Sequence, residues 1–556
     1  MLLEIKQLCT YLQVGGQEVR AVDGIDFHIG RGETFCLVGE SGSGKSITAL
    51  SVIQLLPADI CTHPRGEILF DCRHRDGTVE KVDLLRLDEE RIRQIRGSRI
   101  AMIFQEPMTS LNPVYPIGEQ IVEALVLHHP DMDLNTARAR AIDALEQVKI
   151  PNAAERFNEY PHRLSGGQRQ RVMIAMAMAC EPDLLIADEP TTALDVTVQA
   201  EILKLMRELQ QRRGTSILFI THDFGVVSQM AERLAVMRSG KIVETGPVDD
   251  IIRHPQHEYT RKLIAALPEN LKKTRASRIS APTRSPAPHR DPPLILVEAQ
   301  GVEVYFPIKS GLLRRVADHV RAVDGVDLNI ERGKILALVG ESGCGKTTLG
   351  RALIRLLEPT GGTIKLAGHN ITHLRRGELR PFRSRMQIIF QDPMSSLNPR
   401  LTIADTLTEP MAVHGIGADQ DERLERARAT LKQVQLDENS LWRYPHQFSG
   451  GQRQRIGIAR ALVLEPEFIV CDEVTSALDV SVQAEILEIL LQLRSERHLT
   501  LLFITHNIGV VDYISDEMAV MYQGRIVERG PTDRVITDPQ HDYTRTLLRA
   551  VPRVAL

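Results

Sequence analysis

GESGSGKS at residues 39–46 and GESGCGKT at residues 340–347 are the two stretches from which the fold of this chain is read. Both follow the spacing Gly-x-x-x-x-Gly-Lys-Ser/Thr. Glycine-permitted backbone lets successive N–H groups converge on phosphate oxygens, the lysine reaches the outer phosphates, and the hydroxyl reaches a divalent cation. Lys45 with Ser46 and Lys346 with Thr347 hold those places. The chemistry also requires a strand before the loop and a helix after it. TFCLVGE (34–40) runs into SITALSVIQLL (46–56), and ILALVGE (335–341) into TTLGRALIRLL (347–357). These apolar runs predict a buried strand turning into a helix, the opening of an α/β fold.

The two loops belong to a larger duplication. Lys45 and Lys346 lie 301 residues apart, Gln105 and Gln391 lie 286 apart, and Ser165/Ser449, Glu189/Glu473 and His222/His506 are each separated by 284. A near-constant offset over that span is a repeated domain. Its main shift arises at DCRHRDGTVEKVDLL (71–85), an extra segment in the first copy that reads as a surface hairpin. PENLKKTRASRISAPTRSPAPHRDPP (268–293) has no apolar periodicity and is rich in Pro, Ser and Arg, so it reads as a linker. The expected organisation is a first domain at 1–268, a linker at 269–293 and a second domain at 294–556. Within each copy, short apolar strands alternate with helices, except at 117–164 and 403–448, where the pattern is helical throughout.

Composition narrows the function. The chain has 556 residues, 43% hydrophobic and 25% charged, enough to bury several cores. A net charge of −4 lacks the basic excess of a nucleic-acid binder. The seven cysteines form no C-x-x-C pair and sit in apolar surroundings, which predicts reduced core thiols in a cytosolic protein. No apolar run approaches the length that crosses a bilayer, and Glu4 and Lys6 break the N-terminal one, so neither a membrane span nor a signal peptide is expected.

Three further motifs recur in order. LSGGQ (164–168) and FSGGQ (448–452) precede strong helical runs. Ser165 and Ser449 can cap those helices, and the unpaired N–H groups with the positive end of the helix dipole make an anion site. LLIADE (184–189) and FIVCDE (468–473) are buried-strand runs ending in paired carboxylates: Asp188 and Asp472 suit a Mg2+ contact, Glu189 and Glu473 suit polarising an attacking water. TALD and SALD then end at Asp195 and Asp479, and ILFITH and LLFITH end at His222 and His506. The Glu stands 24 residues after the Ser and the His 33 after the Glu in both copies, a repetition that favours a catalytic role for the His over a structural one.

Taken together, these residues resemble the ATP-binding cassette ATPases, twice over and along nearly the whole chain. The resemblance implies two tandem P-loop α/β domains, each with a helical subdomain and an N-terminal antiparallel β subdomain, using ATP and Mg2+. In that family cassettes pair head to tail, each ATP lying between the phosphate loop of one and the SGGQ of the other. Carried over, site one combines Gly39, Ser41, Gly42, Gly44, Lys45, Ser46, Gln105, Asp188, Glu189 and His222 with Ser449, Gly450, Gly451 and Gln452. Site two combines Gly340, Ser342, Gly343, Gly345, Lys346, Thr347, Gln391, Asp472, Glu473 and His506 with Ser165, Gly166, Gly167 and Gln168. Asp195 and Asp479 join the nucleotide contacts. Ser46, Gln105 and Asp188, and Thr347, Gln391 and Asp472, would reach Mg2+. Val474 departs from the family, which has proline there as the first copy does at Pro190. For the adenine-stacking aromatic the candidates are Phe306 in the second copy and Tyr11, beside Leu12, in the first; a core aromatic is an equal alternative.

The ends of the copies narrow the resemblance. HPQHEYTRKLIAALP (254–268) and DPQHDYTRTLLRAVP (538–552) are similar to the closing segment of bacterial importers of oligopeptides, dipeptides, nickel and glutathione, and the fused form looks closest to the glutathione group. QEPMTSLNP (105–113), QDPMSSLNP (391–399) and the insertion FPIKSGLLRRV (306–316) are similar to the same group. This implies ATP hydrolysis powering import of peptide-like solutes at the cytoplasmic face of a bacterial inner membrane. Two permease subunits would dock near 106–113 and 392–399, fed by a periplasmic substrate-binding protein, with no nucleic acid. The alternative is a soluble twin-cassette ATPase acting on ribosome or DNA.

Overall fold

The computed structural model describes residues 1–73, 78–105, 110–191, 194–272, 295–310, 315–476 and 478–552. The greater part of the expected linker, the tip of the extra segment (74–77), part of the first docking stretch (106–109), residues 311–314 of the insertion and parts of TALD and SALD lie outside them. Internal contacts divide the chain into two units, one chiefly Met1–Leu194 and Val198–Ile264, the other chiefly Ala265–Val551.

In the first unit β1 (Leu3–Val14) pairs antiparallel with β2 (Gln17–Ile29). β3 (Thr34–Val38) leads into the first phosphate loop. β4 (Cys61–Arg73) lies on the free side of β1, and β5 (Val79–Asp83) extends that antiparallel sheet. The extra first-copy segment thus lengthens the β4–β5 hairpin, with pairs from Leu69↔Asp83 to Arg73↔Val79. A second sheet collects β3 with β6 (Ile100–Ile103), β7 (Leu184–Asp188), β8 (Ser216–Thr221), β9 (Arg233–Arg238) and β10 (Lys241–Pro247), in the order β10-β9-β3-β8-β7-β6. All its pairings are parallel except β9 with β10. Every residue of β3, β7 and β8 is buried, as expected for parallel strands covered on both faces.

This strand order positions the site. β3 lies beside β8 and β8 beside β7, with Val38 opposite Thr221 and Asp188 opposite Ile220. Three loops from distant parts of the sequence therefore open at the same edge, at the carboxyl ends of parallel strands. Between β6 and β7 the chain builds a helical lobe from Ile117–His128, Leu134–Gln147 and Gly166–Met178. Asp133 starts the middle helix by accepting the N–H groups of Asn135 and Thr136.

The second unit repeats the plan. β11 (Ile295–Ser310) and β12 (Arg315–Glu331) pair antiparallel, and β13 (Ile335–Val339) precedes the second phosphate loop. β14 (Gly361–Leu366) adds to β11 and carries only a two-residue partner, β15 (His369–Asn370), where the first unit has its long hairpin. β16 (Met386–Ile389), β17 (Phe468–Asp472), β18 (Thr500–Ile504), β19 (Glu517–Tyr522) and β20 (Arg525–Pro531) complete the sheet β16-β17-β18-β13-β19-β20. Its helical lobe packs into one buried cluster with the sheet, joining Leu407, Met411, Leu431 and Ile456 to Ile469 and Phe503. Thr402 and Asp405 form a reciprocal cap at the start of helix Ile403–His414, and Gly415, at φ 70°, ends it. Among the described residues, no helix is long and apolar enough to cross a membrane.

Candidate nucleotide site

Each phosphate loop is held in a conformation that only glycine allows at key points. Gly44 and Gly345 sit at φ 105° and 107°. A Cβ there would meet the Ala21 carbonyl oxygen at 2.2 Å and the Ala322 one at 1.9 Å, so the loop is pressed against β2 and β12. The lysines curl back over the loop. Lys45 Nζ donates to the carbonyl oxygens of Gly39 (2.7 Å) and Glu40 (2.9 Å), and Lys346 Nζ to those of Gly340 (2.7 Å) and Glu341 (2.8 Å). Both ammonium groups are buried in a nest of carbonyls that an anion can compete for.

Opposite the loop stand the carboxylates from β7 and β17. Asp188 and Asp472 are buried, and burial pushes both carboxyls above the usual aspartate range, with hydrogen bonds from Ser46 and Thr347 pulling the other way. Thr347 Oγ1 donates to Asp472 Oδ1 at 2.8 Å. Asp188 Oδ1 is buried with no hydrogen-bond partner. An orphaned carboxylate oxygen beside the Ser46 hydroxyl is an oxygen donor set that fits Mg2+. In the second cassette Arg351 stands 3.9 Å from Asp472 Oδ2, where the first has Leu50. Neither the loop pattern nor the repeat spacing marks that difference.

The neighbouring glutamates share a strained backbone. Glu189 and Glu473 have φ of 46° and 47°, a left-handed conformation that costs roughly 1–2 kcal/mol for a residue with a Cβ. Gln105 Nε2 donates to Glu189 Oε2 at 3.1 Å and Gln391 Nε2 to Glu473 Oε2 at 2.8 Å. On the other oxygen, His222 Nδ1 lies 3.2 Å from Glu189 Oε1 and His506 Nδ1 3.7 Å from Glu473 Oε1. The fold thus brings Gln, Glu and His into one cluster in each cassette, and the glutamine amide engages the glutamate in this arrangement. For Glu473, burial works to raise the carboxyl, but the His506 hydrogen bond and the charges of His506 and Lys346 outweigh it, leaving it below the usual range. Two adjacent carboxyls, Asp472 and Glu473, are thereby pushed in opposite directions, and Glu473 stays an ionised acceptor at neutral pH.

SGGQ begins the helices Gly166–Met178 and Gly450–Leu462. Ser165 accepts the Gln168 N–H at 3.3 Å, while Gln168 Oε1 accepts the Ser165 N–H at 3.2 Å; Ser449 and Gln452 repeat this at 3.3 and 3.1 Å. The two glycines have different reasons. A Cβ on Gly167 or Gly451 would meet Val198 or Val482 at 2.5 or 2.3 Å, so the second glycine is required by packing. Gly450 has nothing within 4 Å and Gly166 only Leu194 at 3.9 Å, so the fold does not demand the first. Asp195 and Asp479 immediately precede the helices Val196–Arg213 and Val480–Arg497.

At the start of each cassette the two candidate aromatics stand in different surroundings. Tyr11 donates its hydroxyl to Asp23 at 3.2 Å and lies under the Arg20 guanidinium, as Tyr305 does with Asp324 (2.7 Å) and Arg321. It is therefore the counterpart of Tyr305, a residue already engaged. Phe306 faces Val320 across the hairpin and is exposed, and its counterpart in the first unit is Leu12, facing Val19. A flat apolar surface is offered at both places, aromatic only in the second.

The ABC transporter pattern matches residues 22–192 and 323–476, more than half of the chain. The chain belongs to the ABC transporter family. Each cassette is accordingly an ATP-binding domain. Residues 243–293 and 527–555 also match the pattern described as Oligopeptide/dipeptide transporter, C-terminal region. Among related proteins, the Peptidoglycan transport ATP-binding protein YejF of Agrobacterium fabrum is 48% identical over 99% of this chain and 96% of its own length. The Glutathione import ATP-binding proteins GsiA of Pectobacterium atrosepticum and of Escherichia coli are each 46% identical, over 99% of this chain and 89% of theirs.

Those C-terminal segments meet the cassettes at a place the motifs did not reveal. Tyr259, on helix Glu258–Ala265, hydrogen-bonds Glu40 of the phosphate loop, and Tyr543, on helix Asp542–Ala550, does the same to Glu341. The only sequence signal for it is the recurrence of Gln-His-Glu/Asp-Tyr-Thr at both ends.

Proposed function

We propose that this ABC protein, at the cytoplasmic face of a bacterial inner membrane, hydrolyses ATP to power import of peptide-like solutes through two membrane permeases that a periplasmic binding protein feeds. What carries the reading is that both cassettes end in a segment matching the oligopeptide/dipeptide transporter C-terminal region, each joined to a complete Lys, Asp, Glu, Gln and His set. The relatives named for glutathione and peptidoglycan transport support the solute class.

Within each site Lys45 or Lys346 exchanges its carbonyl partners for phosphate oxygens. Glu189 or Glu473, oriented by its Gln and His, accepts a hydrogen bond from the attacking water. Mg2+ bound by Ser46 and Asp188, or Thr347 and Asp472, with Gln105 or Gln391 at its edge, would offset charge on the phosphates. Each phosphate loop is completed by the signature helix of the other copy: Lys45 works with Ser449, and Lys346 with Ser165. The open space over Gly450 suits a phosphate drawn against the helix N-terminus.

Glu189→Gln with Glu473→Gln tests the reading. ATP binding should persist, turnover should fall by roughly 10²- to 10⁴-fold, and cells carrying the variant should lose uptake of labelled glutathione or short peptides. Unimpaired uptake would reject import. Cofractionation of the chain with ribosomes in place of membranes would favour the soluble alternative.

A further inference from the structure

The C-terminal segment is fastened at one end to a strand of its own cassette and at the other to the phosphate loop. In the first cassette Glu244, on β10, accepts the N–H groups of Gln256 (2.7 Å) and His257 (3.1 Å), and His257 Nδ1 accepts the Tyr259 N–H at 3.1 Å. The Tyr259 ring is buried under the Arg238 guanidinium, 4.7 Å from its centroid. Its hydroxyl then reaches Glu40, the second residue of the loop, donating to Oε2 at 2.9 Å and accepting the Glu40 N–H at 3.4 Å. In the second cassette Glu528 holds Gln540 and His541 at 2.7 and 3.0 Å, Tyr543 packs on Tyr522, and its hydroxyl accepts the Glu341 N–H at 3.0 Å.

Glu40 and Glu341 are also where the lysines are tethered, since their carbonyls accept Lys45 Nζ and Lys346 Nζ. The same residue that the tyrosine holds by its N–H holds the phosphate-binding ammonium by its carbonyl oxygen. We propose that Tyr259 and Tyr543 are positioning residues that preorganise the phosphate loops, making the C-terminal segments part of the nucleotide machinery. The proposal rests on the reading of the loops as ATP-phosphate sites. Without the hydroxyl the loop's second residue loses a fixed partner, and part of its ordering falls on ATP binding. The effect is on nucleotide affinity, because neither tyrosine touches the carboxylate cluster that performs hydrolysis.

Tyr259→Phe with Tyr543→Phe in the full chain keeps both rings and removes both hydroxyls. The Kd and KM for ATP should rise about 3- to 10-fold, the scale of one hydrogen bond of preorganisation, while kcat at saturating ATP stays within about 2-fold of wild type. Unchanged Kd and KM, with a lowered melting temperature, would make the contact structural and overturn the proposal. So would Phe variants behaving as wild type while Tyr→Ala variants lose affinity, since ring packing alone would then suffice. Lys45→Ala with Lys346→Ala serves as the control for the site itself: ATP affinity unaffected there would overturn the phosphate-loop reading, and the proposal with it.

Discussion

At the scale of single residues, the two glycines of each signature separate folding from ligand contact. Gly451→Ala drives a methyl into Val482, 2.3 Å from where it would sit, and should destabilise the second cassette by roughly 1–3 kcal/mol in calorimetry. Gly450→Ala meets nothing within 4 Å at a helical position, so its melting temperature should hold or rise slightly. ATPase activity should still fall, because the methyl occupies the space above the helix N-terminus. An active, fully stable Gly450→Ala protein would remove that helix end from the nucleotide site. The glutamates were legible as catalytic candidates from their place after a buried strand. Their positive φ was not, since it arises where Glu189 N donates to Ile220 O (2.9 Å) and Glu473 N to Ile504 O (3.0 Å), bonds that exist only once the sheet is assembled.

Among elements, the C-terminal segments are held by two carboxylates whose protonation can be followed. At Glu244 burial works to raise the carboxyl, but the carboxyl stays lowered with the help of hydrogen bonds from the Gln256 and His257 N–H groups; those from Gln540 and His541 act likewise on Glu528. Both lie below the ordinary glutamate range in the folded state. The native state therefore binds fewer protons than the unfolded one, so their stabilisation is present above about pH 4.3 and is lost as pH falls through the depressed folded value. Glu244→Gln with Glu528→Gln should lose about 1 kcal/mol per site at pH 7. Its melting temperature should decline less than wild type between pH 6 and pH 4. Parallel melting curves for the two proteins would show that these bonds do not stabilise the fold. The segments were visible as repeats, but a repeat does not say what its helix touches. The β4–β5 hairpin was likewise visible as an insertion, and its antiparallel arms follow from its place at the edge of the sheet.

For the whole molecule, the proposed pairing, in which each site draws its halves from different copies, is one that pairs of substitutions can test. In the Glu189→Gln, Glu473→Gln background, Lys45→Ala with Ser449→Ala damages one site twice and should leave one tightly bound ATP per chain. Lys45→Ala with Ser165→Ala damages both sites and should leave none, a difference equilibrium dialysis can count. Equal stoichiometry in the two variants would end the crossed pairing. In that proposal, fusing the two cassettes in one chain raises their effective concentration for each other. By itself the sequence determined the duplicated α/β plan, the phosphate loops, the capped signature helices and the paired carboxylates, because each is set by local spacing, glycine tolerance and apolar periodicity. Only the tertiary structure decided that Gln105 and His222 flank Glu189, that Tyr11 is engaged by Asp23 with Leu12 in the place of Phe306, and that Tyr259 and Tyr543 reach the phosphate loops. Those contacts join residues from 12 to 219 positions apart, and sheet order and helix docking bring them together, which local pattern does not encode.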